Sequence, residues 1–132
     1  MLSVHKIGGT SMSKFGDVLN NIIIQQADGD NPYDRIFVVS AYNHVTNWLL
    51  EHKKSGEPGV YDLFEKSLDY GRALDQVLEK LIAINHELKE IGLNVDEADR
   101  FISERIKQSR IYLLSLEEVL ASGYISKHNI LL

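Results

Sequence analysis

Arg35-Ile36-Phe37-Val38-Val39-Ser40 is a short apolar run bounded by turn chemistry, and it constrains the fold more than any other stretch. Its length and its β-branched and aromatic residues predict a strand, and the lack of alternation predicts burial on both faces. Upstream, Leu2 to Ile7 is β-leaning and stops at Gly8-Gly9, which predicts a first strand entering a tight turn. Between the two, Phe15, Val18, Leu19, Ile22, Ile23 and Gln26 recur at helical spacing, with Ser11 or Ser13 available as N-cap. Asp28-Gly29-Asp30-Asn31-Pro32 is dense turn chemistry and ends that helix. The order strand, glycine turn, helix, turn, strand is a βαβ unit, whose strands run parallel with a right-handed crossover.

The rest reads as helical. A short helix around Val45 to His52 leads into a loop at Ser55-Gly56-Glu57-Pro58-Gly59. Leu63, Phe64, Leu68, Leu74, Val77, Leu78 and Leu81 begin one broad stripe that runs from Tyr61 to Ile91, with Gly71 as a weak point and Gly92 as its closure. Asn94 and Glu97 form a capping-box start for a second long helix, reaching about Ser122 and carrying Phe101, Ile106 and Leu113. The stripes predict core or subunit interface, and charges such as Glu117-Glu118 predict a solvated face. Two strands are a small sheet for so much helix, and the chain stays apolar to Leu132; both features suggest an incomplete domain.

Composition narrows the class of function. The 132 residues carry 14 Lys+Arg against 19 Asp+Glu, a formal charge of −5, which disfavours nucleic acid or an anionic membrane as partner. There is no cysteine, so disulfides and thiolate metal sites are excluded. No apolar run approaches the roughly 20 residues of a membrane span, and Met1-Leu-Ser-Val-His-Lys lacks signal-peptide features, so a cytoplasmic protein is expected. The five histidines show no metal-ligand spacing, and no protein-held metal is expected.

Lys6-Ile7-Gly8-Gly9-Thr10-Ser11 joins a strand end to a helix start. Glycines there let backbone N–H groups approach an anion, the helix terminus adds positive potential, and Lys6 adds a point charge. Those are the parts of a phosphoryl-transfer site, though not of a Walker A loop, whose spacing is absent. On spacing alone, a plain tight turn fits equally well. Ser40 falls at the carboxyl end of the second strand, where open α/β sheets bind ligands, and parallel pairing would set it beside Gly8-Gly9. Thr46 falls near the start of the following helix; taken alone, both hydroxyls fit helix capping better.

Together these residues resemble the aspartate kinases of the amino-acid-kinase superfamily. Lys6 to Ser11 is similar to their Lys-Phe-Gly-Gly-Thr-Ser signature, and Val38-Val39-Ser40-Ala41 through Thr46-Asn47-Trp48-Leu49-Leu50 is similar to their second motif. Glu51 to Tyr61 further resembles the aspartokinases associated with ectoine biosynthesis. The resemblance implies an α/β, carbamate-kinase-like parallel sheet beginning with this βαβ segment, and an N-terminal portion of the catalytic domain over residues 1–132, with a phosphate-binding segment 1–60 and a helical segment 61–132. It implies transfer of phosphate from ATP, accompanied by Mg²⁺, to the side-chain carboxylate of L-aspartate. By that pattern Lys6 stabilises the phosphoryl group in flight. Gly8, Gly9, Thr10 and Ser11 meet the phosphates, Ser40 lines the acceptor site and Thr46 contacts aspartate.

The departures are Ile7 for the usual Phe and His44 where a small residue is common. The later Gly-Glu motif and the nucleotide-binding half have no counterpart before Leu132, so the chain by itself is expected to be inactive and to associate with itself or with the remainder of a kinase. A related carboxylate or carbamate kinase, and a non-catalytic helical interaction module, are the rival readings.

Overall fold

A computed structural model describes residues 2–24 and 34–126, which group into two compact units, residues 1–46 and 47–132. The first contains β1 (Ser3–Ile7), α1 (Gly9–Met12), α2 (Phe15–Val18), a π-helical turn (Leu19–Ile24) and β2 (Arg35–Val39). α3 (Val45–Leu49) starts at its end. The second contains α4 (Val60–Glu65), α5 (Tyr70–Glu87), a 3₁₀ turn (Leu88–Ile91) and α6 (Val95–Ala121). The molecule is therefore mixed α/β, with a two-stranded parallel sheet and long helices.

β1 and β2 pair in parallel, in a register that sets Ser3 opposite Arg35 and Ile7 opposite Val39. Strand alternation turns His5 and Ile7 to one face, where the His5 ring stacks on Phe37 at 5.2 Å. Ile7, Met12 and Val18 are the buried centre of this unit, with Phe15, Ile22, Phe37 and Tyr42 packed around them. The opposite face is open: Val4, Ile36 and Val38 are 66%, 47% and 52% exposed. The expected burial of the second strand on both faces is thus corrected. An apolar run shows that a strand tolerates cover, but a second layer has to supply it, and none of the described residues of this unit does.

The helix after the glycines begins a turn earlier than the apolar spacing indicates. Gly8, not Ser11 or Ser13, is the N-cap of α1, with extended backbone and no side-chain cap. Ser13 instead ends α1, its hydroxyl donating to the Thr10 carbonyl at 2.6 Å. Such back-bonding competes with helix continuation, and α2 starts afresh at Phe15. Gln26, the turn at Asp28 to Pro32 and the apolar end at Asn129 to Leu132 lie outside the described residues.

In the second unit Val60, Phe64, Tyr70, Leu74, Val77 and Ile106 form the core, with Phe64 and Tyr70 meeting edge to face at 5.3 Å. The stripe from Tyr61 to Ile91 is broken between α4 and α5, at left-handed Ser67 (φ 56°) and not at Gly71. Asp69 restarts the helix, accepting the Arg72 N–H at 3.0 Å. Leu68 falls in this break and is 54% exposed, so it leaves the stripe. Phe101, at 57% exposed, is also outside the core, beneath the Arg105 guanidinium at 5.0 Å. Glu117 is not simply solvated, because its carboxylate accepts the Tyr70 hydroxyl at 2.7 Å.

The helix ends follow the sequence closely. Gly92 is left-handed (φ 97°), and the Leu93 N–H returns to the Leu88 carbonyl at 3.3 Å, a glycine closure of the Schellman type. Asn94 accepts the Glu97 N–H at 3.3 Å and caps α6, which runs to Ala121. Among the described residues, no helix is long and apolar enough to cross a membrane.

Candidate functional site

Parallel pairing carries both motif segments to the same end of the sheet. One hydrogen bond extends the ladder past the strands: the Ser40 N–H donates to the Ile7 carbonyl at 3.0 Å. It places Ser40 against the glycine turn, where a Cβ built on Gly9 would stand 3.6 Å from Ser40 Oγ. At Gly8 the equivalent position meets nothing within 4 Å, so the backbone there faces open space. Gly8 has φ −75°, a value that any residue adopts, so its lack of a side chain matters for access and not for conformation.

The N–H groups of Ser11 and Met12 both return to the Gly8 carbonyl, at 3.0 and 3.1 Å. That leaves the N–H groups of Gly9 and Thr10 as the leading donors of α1. The hydroxyl-bearing residues Thr10, Ser11, Ser40 and Thr46 are all exposed, as is Lys6 in the last turn of pleat before Ile7. The structure thus brings Gly8, Gly9 and Ser40 together, with Thr10 and Ser11 on the adjoining helical turn. Thr46 is the second residue of α3, and no hydrogen bond joins it to Ser40 or to the glycine turn among the described residues. Backbone donors, a hydroxyl and a lysine at one strand end can receive an anionic group.

The segment between Ser40 and Thr46 contributes residues whose role the sequence did not reveal. Tyr42 is packed against the Ile7, Met12 and Val18 cluster, and burial raises its hydroxyl above the usual tyrosine value. Asn43 and His44 form the turn that follows. Its signal was present as an Asn in a turn-forming position, but a backbone angle is not legible in residue types.

An open groove of about 590 Å³ lies in the second unit along the start of α6, between Leu93, Asn94, Glu97, Arg100, Phe101 and Glu104. None of the residues expected at the site lines it. Among the described residues no three His, Asp or Glu side chains are grouped to hold a metal.

The chain is 45% identical to aspartate kinase Ask_Ect of Stutzerimonas stutzeri (strain A1501), in an alignment covering 97% of this chain. Over nearly all its length, the chain resembles part of an aspartate kinase. It spans 28% of the length of that relative. The similarity includes both motif segments and extends through the helices of the second unit. No family profile and no solved structure matches the chain.

Proposed function

We propose that this chain is the phosphate-binding and acceptor-binding start of an aspartate kinase of the ectoine type, within an amino-acid-kinase fold. The reaction transfers the γ-phosphoryl group of ATP to L-aspartate. A side-chain carboxylate oxygen forms the new P–O bond, the bond to the β–γ bridging oxygen breaks, and ADP departs with that electron pair, giving 4-phospho-L-aspartate. The observation that carries the reading is the bond from Ser40 N–H to the Ile7 carbonyl, which unites the two motif segments at one strand end.

The residues divide the work by their chemistry. The Gly9 and Thr10 N–H groups and the open backbone at Gly8 meet phosphate oxygens, with Ser11 beside them. Lys6 supplies the positive charge that offsets the charge spreading over the transferred group. Ser40 and Thr46 hold the acceptor. Mg²⁺ enters on the triphosphate, as the nucleotide complex. The chemistry belongs in the cytoplasm, where both substrates are found, and association with further kinase polypeptide completes the site.

Calorimetric titration of Mg²⁺–ATP and of L-aspartate into the chain and its Lys6→Ala variant tests this. Saturable nucleotide binding, weakened at least tenfold in Lys6→Ala, is the expected result. A well-folded chain that takes up neither ligand would sink the assignment of a working phosphate and acceptor site to this chain and favour a helical interaction module. Nucleotide binding with preference for carbamate or another carboxylate over aspartate would reassign the acceptor.

A further inference from the structure

Among the described residues of the first unit, His44 alone has a left-handed backbone, with φ 69°. The Val45 N–H donates to the Tyr42 carbonyl at 3.3 Å, so residues 42–45 form a closed turn with His44 as its third residue. Asn43 has no positive φ. That combination is the type II pattern, which asks for glycine or asparagine at the third position. Histidine there is strained, and the neighbouring side chain compensates. Asn43 Oδ1 accepts the His44 N–H at 3.1 Å, while Asn43 Nδ2 lies 3.1 Å from His44 Nε2. One end of the turn is anchored, since Tyr42 packs in the core and Ser40 is tied to Ile7. The other end leads directly into Thr46.

We propose that Asn43 and His44 are positioning residues for the acceptor amino acid: their clamped, left-handed turn sets the direction in which Thr46 is presented relative to Ser40. The proposal rests on the reading of Ser40 and Thr46 as acceptor ligands. Backbone strain persists only where surroundings over-determine it, and here two hydrogen bonds hold Asn43 and His44 within the five-residue segment that joins Ser40 to Thr46.

Four variants of the 132-residue chain separate the possibilities, each titrated with L-aspartate and with Mg²⁺–ATP. His44→Val cannot hold a left-handed backbone and is expected to weaken aspartate binding at least tenfold, with nucleotide binding within twofold of the parent. Asn43→Ala removes both clamp bonds and should weaken aspartate severalfold. His44→Gly adopts the turn freely and should bind aspartate within threefold of the parent. The double variant Asn43→Ala/His44→Gly should recover that affinity, because glycine needs no clamp. Parent-like aspartate binding by His44→Val, or equal losses for both ligands, overturns the proposal and leaves the kinase reading standing. A parent chain that binds nucleotide but no aspartate, or neither, overturns the acceptor assignment first and the proposal with it.

Discussion

The side-chain amide of Asn85, which has no exposed surface, donates to Asp99 Oδ1 at 2.8 Å and so ties α5 to α6. His86 Nε2 meets the other carboxylate oxygen at 3.0 Å. Asn85 is the one buried polar residue among those described, and its partner is an acidic side chain fourteen positions away. Asn85→Ala should cost on the order of 1–3 kcal/mol in chemical denaturation at pH 7, the usual range for an unmade buried hydrogen bond.

The same pair sets an acid response. Asp99 is held below the ordinary carboxylate range, chiefly by the Asn85 amide and then by His86. Its folded value lies beneath its unfolded one, so its contribution is present above the ordinary range and disappears as pH falls through the lowered value. Denaturation curves at pH 7 and pH 3 should therefore converge for Asp99→Asn relative to the parent. An unchanged gap between the two pH values would count against the pair.

Tyr70 predicts the opposite limb. Burial, and then its bond to Glu117, push its hydroxyl up to about 12. A raised folded value means that stability is intact below the unfolded tyrosine value near 10 and falls as pH climbs toward 12. Tyr70→Phe should flatten that alkaline loss, read as thermal midpoints between pH 9 and 12.

Gly59 is a packing constraint and not a conformational one. A Cβ on it would sit 2.3 Å from the Leu50 carbonyl oxygen, the atom its own N–H bonds at 2.9 Å. Gly59→Ala must push backbone aside just before α4, and should destabilise the second unit by roughly 1–3 kcal/mol. A thermal midpoint within a degree of the parent would contradict it.

Gly8 offers the functional contrast. Its φ of −75° and the open space around it accept a methyl group without strain. Gly8→Ala should leave the melting temperature unchanged while weakening Mg²⁺–ATP by about tenfold, if that open backbone is where phosphate approaches. Equal affinity in both proteins would move the phosphate contact elsewhere.

Local chemistry made much of this molecule legible. Gly92 and the Asn94–Glu97 pair mark helix ends because a left-handed closure and a side-chain cap act within a few residues. The strand from Ser3, the strand from Arg35 and the juxtaposition of Ser40 with Gly9 were likewise readable, since a βαβ unit leaves its parallel strands few arrangements. Less visible were the break at Ser67, the second start at Phe15 and the turn at His44. Each depends on a local backbone angle that the residue types along the segment do not specify.

Sequence by itself determined the strand–helix–strand order of the first unit, the polarity of the strand pair and the placing of Ser40 beside the glycine turn. Those follow from periodicity, glycine placement and chain connectivity, which act over short distances or through topology. Only the tertiary structure decided that one sheet face is left exposed by the described residues of its unit, that Asn85 is buried against Asp99, that Glu117 serves Tyr70, and that His44 is held left-handed by Asn43. Burial and hydrogen-bond partnership belong to pairs of segments, and residue types along one segment do not specify what meets them.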